Sequence, residues 1–125
     1  MTNLFDIKDN VTVITGGTGV LGRAIARYLA INGAKVIIMG RKEDVGNQIA
    51  ESIRKDGGIC DFLKTDVMNK NILEGNLQWI MDKYGRVDTL LNAAGGNMAG
   101  ATIAPDKTFF DLDPEQFQTV LNLNL

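Results

Sequence analysis

Thr15-Gly16-Gly17-Thr18-Gly19-Val20-Leu21-Gly22 is a glycine-rich stretch set between two segments of contrasting pattern. Before it, Val11-Thr12-Val13-Ile14 is a short β-branched run; after it, Val20 to Ala30 places apolar residues at helical spacing. A turn that joins such a strand to such a helix is a phosphate cradle, because the helix N-terminus offers unpaired N–H donors and roughly half a positive charge. Read as G-x-G-x-x-G, Gly17 permits the tight turn, Gly19 lets a pyrophosphate approach the backbone, and Gly22 lets helix and strand pack closely. Glycine clusters alone mark ordinary turns, so the weight rests on context: strand, turn, helix and a second strand all fall within one βαβ length. No Gly-Lys-Ser or Gly-Lys-Thr closes the loop, which disfavours an ATP or GTP hydrolase.

Outward from this turn, apolar runs alternate with helix-like stretches, the pattern of an α/β protein with a parallel sheet. The spacing predicts strands at Val11 to Thr15, Lys35 to Met39, Cys60 to Lys64 and Val87 to Asn92. Between them it predicts helices near Val20 to Asn32, Asp44 to Lys55 and Asn69 to Tyr84, stopped by Gly33, by Gly57 with Gly58, and by Gly85. Ala93 to Asp111 shows no periodicity, and long loops in compact domains are usually functional. A last helix is expected from Asp113 as N-cap, with Pro114 at the first helical position and Gln116 in the capping-box place. The alternation of Leu121-Asn122-Leu123-Asn124-Leu125 also permits a strand.

The 125 residues suffice for one domain, and 45% hydrophobic with 22% charged residues is ordinary for a globular protein. A net charge of -2, with basic and acidic residues interspersed, argues against a nucleic-acid or membrane-surface partner. Cys60 is the only cysteine and histidine is absent, so no disulfide framework, cysteine metal site or histidine base is available within the chain. Cys60 reads as a small core residue on a strand. No secretory signal or transmembrane run is visible, and a cytoplasmic location is the simplest expectation.

At the end of the second strand of a dinucleotide fold, an acidic side chain bonds the ribose 2′-hydroxyl and repels a 2′-phosphate. Gly40 stands there, followed at once by Arg41 and Lys42, which offer charge-assisted bonds to a phosphate. NADP is therefore expected ahead of NAD, although Glu43 or Asp44 also lies within reach of a ribose hydroxyl.

Four stretches in order resemble the short-chain dehydrogenase/reductase family, over roughly residues 8 to 125. Thr15 to Gly22 is similar to its glycine signature, and Thr65-Asp66-Val67 lies where its adenine-contacting Asp follows the third strand. Asn92-Ala93-Ala94-Gly95 resembles its Asn-Asn-Ala-Gly motif, and Asn124 looks like the helix asparagine that supports its catalytic group. The glycine spacing departs from the classical T-G-x-x-x-G-x-G: Val20 holds the sixth position, and T-G-x-x-G-x-x-G is matched through Gly19, as in the extended branch. The other motifs look classical. Asn92 has a second reading, the satisfaction of loose backbone groups after a strand.

The resemblance implies a Rossmann-like, doubly wound parallel sheet, NADP or NAD as cofactor, and hydride transfer on a small carbonyl/alcohol substrate. It also implies a homo-oligomer, dimer or tetramer, for the full-length protein. Gly95-Gly96-Asn97 with Phe109 to Asp113 is similar to members acting on sugar acids of the fructuronate/mannonate or gluconate type. The family's serine, tyrosine and Tyr-x-x-x-Lys lysine have no counterpart here. Asn32 follows Tyr28 at the lysine position, Asp88 follows Tyr84, and Ser52, the only serine, lies in a predicted helix. Both tyrosines read as helix residues at a core edge. The expectation is a single dinucleotide-binding domain over residues 1–125, the N-terminal half of a longer enzyme cut before its catalytic segment and inactive alone. An open edge on its fourth strand and an exposed face on its last helix would follow. The alternative is a non-catalytic NAD(P)-binding sensor or regulatory module.

Overall fold

The computed structural model describes residues 3–125, which form two compact units, residues 3–93 and 94–125. The first unit holds β1 (Val11–Thr15), α1 (Val20–Ile31), β2 (Lys35–Gly40), α2 (Glu43–Lys55), β3 (Ile59–Lys64), α3 (Lys70–Tyr84) and β4 (Thr89–Asn92). The strands form one parallel sheet in the order β3-β2-β1-β4, with Val13 opposite Ile37 on one side and Leu90 on the other. Chain order thus runs outward from β1 to β3 and then returns to the opposite side of β1, which makes β1/β4 the point where strand order reverses.

Side chains alternate across the sheet, so each central strand feeds two cores. Ile14, Val36 and Ile38 pack with Ala26 and Ala30 of α1 and with Ala50 and Ile53 of α2. Val11, Val13, Ile37 and Met39 pack on the other face with Ile80 of α3. Burial on both faces explains why β1 and β2 read as continuous apolar runs. Ile14, Ile37 and Ile38 are each fully buried, worth about 1.5–3 kcal/mol apiece. Cys60 lies in the first core, as expected, where burial pushes its thiol up to about 12.

Helix ends follow the predicted punctuation. Gly33, Gly57 and Gly85 all carry positive φ, the left-handed turn that stops a helix. The start of β4 differs: it begins at Thr89 rather than Val87. The Asp88 carboxylate accepts the Val11 N–H at 2.8 Å while the Val11 carbonyl accepts the Asp88 N–H at 2.9 Å, so Asp88 ties off β1 instead of extending a strand.

The second unit contains 3-10 turns at Ala99–Ala101 and Phe109–Asp111 and the helix α4 (Pro114–Asn124). The strand alternative for its end is not realised. Asp113 caps α4 by accepting the N–H groups of Glu115 and Gln116. The predicted capping box is not closed. The Asp113 N–H goes to the Gly100 carbonyl, and Gln116 Oε1 accepts the Gly100 N–H at 2.8 Å while its Nε2 donates to Asp113 Oδ2 at 3.3 Å, so Gln116 ties the loop to the cap residue's side chain rather than accepting its N–H. No residue of α4 is buried.

Two helical glycines make opposite predictions. A Cβ at Gly46 would fall into the Phe62 ring, whereas one at Gly75 meets nothing within 4 Å. Gly46→Ala should destabilise by about 1–3 kcal/mol despite its better helix propensity, and Gly75→Ala should stabilise by about 0.5–1 kcal/mol; urea midpoints would show the two signs. The Asp88 carboxyl is held below the usual carboxylate range, chiefly by the Arg86 guanidinium and then by the Val11 N–H. A lowered folded-state value stabilises fully above the unfolded pKa of about 3.9 and loses that contribution as pH falls through the folded value. Asp88→Asn should therefore lower stability near neutrality and flatten its decline on the acid side, read from denaturant midpoints across pH.

Candidate functional site

The glycine loop occupies the carboxyl end of β1. Its left-handed residue is Gly16, with φ of 67, not Gly17 as the G-x-G-x-x-G reading assigns it. Gly17 is small for a different reason: a Cβ there would stand 2.6 Å from Cβ of Ile38, and its N–H is held by the Met39 carbonyl at 3.1 Å. A Cβ at Gly22 would land on the Gly16 carbonyl oxygen, so the first turn of α1 rests on the loop backbone as well as near the strand. Gly19 is the least crowded of these three. It is the α1 N-cap, carries no side-chain cap, and a Cβ there would meet only the Gly16 oxygen, at 3.3 Å.

Val20 and Leu21, the first two residues of α1, are exposed. Arg23 was not among the predicted site residues. Its Nη2 donates to the Thr18 carbonyl at 3.0 Å and its Nε to the Gly19 carbonyl at 3.2 Å, which folds a cation back over the loop. A cation in the first turn opposes the helix dipole, a signal readable in the sequence.

The ends of the neighbouring strands meet the same loop. Thr15 and Asn92 are partners in the β1/β4 register, and the Ala93 N–H continues the ladder to the Thr15 carbonyl at 3.1 Å. The Asn92 side chain is exposed and hydrogen-bonds to no described residue, so its backbone-satisfying role is not seen. Arg41 and Lys42 follow β2, both exposed, and their side chains make no hydrogen bond or ion pair among the described residues. After β3, the Thr65 N–H bonds the Gly40 carbonyl at 2.8 Å, and Asn76 reaches the buried Thr65 hydroxyl at 2.8 Å. Asp66 is exposed, with Oδ1 accepting the Met68 N–H at 3.0 Å; Val67 beside it is half-buried. Thr15 to Gly22, Arg41, Lys42, Asp66, Val67, Asn92 and Ala93 thus all stand at or just beyond the carboxyl ends of the four strands.

The remaining predicted residues belong to the second unit. Asn124 Oδ1 accepts the Gly96 N–H at 3.2 Å while its Nδ2 donates to the Gly96 carbonyl at 2.8 Å and to Val120 at 2.7 Å. A Cβ at Gly95 would stand 2.8 Å from that Oδ1. Asn124 therefore braces the loop that carries Ala94 and Gly95.

Neither tyrosine lies near the cradle. Tyr28 and Tyr84 occupy the last turns of α1 and α3, helices that run back toward the amino ends of the strands. The Tyr84 hydroxyl donates to Asp61 Oδ2 at 2.5 Å, and burial together with that carboxylate raises its pKa. Among the described residues no group of three His, Cys, Asp or Glu is placed to hold a metal, and no helix is long and apolar enough to cross a membrane.

A parallel sheet with an uncapped glycine turn at the reversal of strand order defines a dinucleotide-binding α/β fold. The comparisons narrow this class. A family profile described as short chain dehydrogenase matches residues 10–125, and the chain belongs to that family. It is 35% identical over 127 residues to the uncharacterized oxidoreductase UxuB of Bacillus subtilis, covering 95% of this chain and 46% of the relative. A Haemophilus influenza protein described as a D-mannonate oxidoreductase, with bound NAD, superposes with a TM-score of 0.87 at 29% identity, covering 95% of this chain and 46% of that one. The F189W actinorhodin polyketide ketoreductase with NADPH gives 0.82 at 28% identity, covering 94% and 42%. The chain spans less than half the length of these proteins.

The loop geometry separates folding from binding at two glycines. Gly22→Ala should lower stability by about 1–3 kcal/mol, since backbone must move. Gly19→Val should cost less stability than Gly22→Ala, since its Cβ meets only the Gly16 oxygen at 3.3 Å, while abolishing dinucleotide binding measured by calorimetry, because a branched side chain would stand beside the N–H groups that open α1.

Proposed function

We propose that this chain is the cofactor-binding part of an NADP-preferring oxidoreductase that interconverts a carbonyl and an alcohol. The observation that carries the reading is the uncapped Gly19 turn at the β1/β4 reversal, where backbone donors and the helix dipole face the place an anionic pyrophosphate would take. The packing supports the fit: Gly17 and Gly22 are closed to any side chain, whereas at Gly19 a Cβ would meet only the Gly16 oxygen, at 3.3 Å. When bound, the nicotinamide supplies or accepts the hydride.

The chain's own residues divide the remaining work. Thr15 to Gly22 cradle the pyrophosphate: Arg23 fixes the Thr18 and Gly19 carbonyls, the Gly17 and Gly19 N–H groups are spent on the Met39 and Gly16 carbonyls, and the donors offered to the anion are those of the first turn of α1. Arg41 and Lys42 meet the adenosine 2′-phosphate, and Asp66 with Val67 borders the adenine. Asn92 and Ala93 line the floor between β1 and β4, and Ala94 and Gly95 continue that segment under the brace of Asn124. The proton transfer needs a group these residues do not supply, since Tyr84 is committed to Asp61 and Tyr28 is placed at the wrong end of its helix. The chain alone is thus inactive, and catalysis belongs to the whole protein, a homo-oligomer.

The substrate class favoured is a sugar acid. Support comes from the relative described as a D-mannonate oxidoreductase, and from the polar Gly96-Asn97 loop, in which Asn97 bonds Thr102 at 2.8 Å. Purified whole protein should oxidise NADPH when given a keto sugar acid, while the 125-residue chain binds NADPH without turnover. Turnover by the chain alone, or no dinucleotide binding by either, would refute this function.

Cofactor choice has its own test. Arg41→Ala should weaken NADPH by about 1 to 3 kcal/mol, the worth of a charge-assisted bond, with a smaller loss for NADH. Equal losses in calorimetric titrations would remove the 2′-phosphate assignment.

A further inference from the structure

The side chain that would end β2 is absent, and a neighbouring side chain stands in its place. A Cβ at Gly40 would be 2.7 Å from both Oγ1 and Cγ2 of Thr18, and 3.3 Å from its Cβ. Neither backbone is free to withdraw. The Thr18 carbonyl is held by Arg23, and its loop is tied to β2 through the Gly17 N–H and the Met39 carbonyl at 3.1 Å. Gly40 is held on its other side, its carbonyl accepting the Thr65 N–H at 2.8 Å. The Thr18 hydroxyl hydrogen-bonds to no described residue, so its position is set by packing against Gly40.

We propose that Thr18 and Gly40 form one coupled element that determines cofactor specificity: Thr18 occupies the volume that a carboxylate at residue 40 would need, which leaves Arg41 to meet the 2′-position of the adenosine ribose. The inference rests on the dinucleotide reading above. Its physical content is steric. An acid at residue 40 has the chemistry to bond a 2′-hydroxyl and repel a 2′-phosphate, yet it cannot be introduced alone, because two side-chain atoms of Thr18 already fill its path. Specificity is then a property of the pair, and the two positions are non-additive, as neighbours that share one volume must be.

The test uses the full chain and five proteins: the parent, Gly40→Asp, Thr18→Ala, Thr18→Ala with Gly40→Asp, and Thr18→Val with Gly40→Asp. Thermal midpoints without cofactor and calorimetric affinities for NADPH and NADH are measured for each. Gly40→Asp alone should lower the midpoint and weaken both cofactors at least tenfold. Adding Thr18→Ala should recover the midpoint and bind NADH at least tenfold tighter than Gly40→Asp does, with NADPH still weak. Thr18→Val, which keeps the volume and removes the hydroxyl, should give no recovery. Gly40→Ala provides a milder probe should the aspartate variant not fold: it should lower the midpoint in the parent and not beside Thr18→Ala. Additive effects, or a Gly40→Asp variant that alone gains NADH affinity at the parent midpoint, overturn the coupling. A parent chain that binds neither dinucleotide overturns the cofactor reading and this inference together, whereas binding with additive substitutions overturns the coupling only.

Discussion

Backbone packed directly on backbone is the constraint on which the carboxyl end of the sheet depends. Where α1 leaves β1, Gly22 lies over the carbonyl of Gly16, and no side chain of any size fits between them. That contact sets the angle at which the helix departs, and through it the seating of Ala26 and Ala30 on Ile14, Val36 and Ile38. It also decides where the uncapped amide groups point. A looser junction would move the helix axis and the phosphate-facing donors together, since both are fixed by the same turn.

The same economy of side chains recurs around the loop. Gly17 is pressed on Ile38, Gly40 on Thr18, and Gly46 on the Phe62 ring, so two segments, the β1–α1 loop and α2, approach β2 and β3 more closely than a Cβ would allow. Hydrogen bonds then lock the arrangement, Gly17 to Met39 and Thr65 to Gly40. A helical glycine such as Gly46 sacrifices about 1 kcal/mol of helix propensity relative to alanine, which here is offset by the aromatic contact it permits. These positions are functional only indirectly: they let loop and helix close on the strand ends, beyond which Arg41 and Lys42 are exposed.

Most of the architecture was legible in the residues because its signals are local and periodic. Val11 to Thr15 and Lys35 to Met39 are continuous β-branched and apolar runs, and α1, α2 and α3 each close on a glycine that the structure places in the left-handed region. What escaped the sequence depends on contacts between segments. Gly16 and Gly17 are adjacent and chemically identical, and only the position of Ile38 decides which of them turns and which packs. Asp88 looks like the interior of a strand until its carboxylate is seen accepting the Val11 N–H. Gln116 sits where a capping box requires it, but the nearby Gly100 backbone offers a better pair of bonds. Ala93 to Asp111 lacks periodicity because its two 3-10 turns are three residues long and the stretch is held by side chains: Asp111 on Thr108, Asn97 on Thr102 and Asn124 on Gly96. The family resemblance singled out Asn124 without its geometry; the loop it braces at Gly96 was visible only in three dimensions.

Cys60 has one further consequence. Its thiol is the only one in the chain, is sealed between α2 and the sheet, and has an ionisation pushed up to about 12 by burial. The thiolate is the species that reacts with alkylating reagents, so the native protein presents them with almost nothing to attack. Labelling at Cys60 therefore reports the moments when β3 parts from the helices above it. The molecule carries its own clock for opening, read by mass spectrometry without any engineered probe.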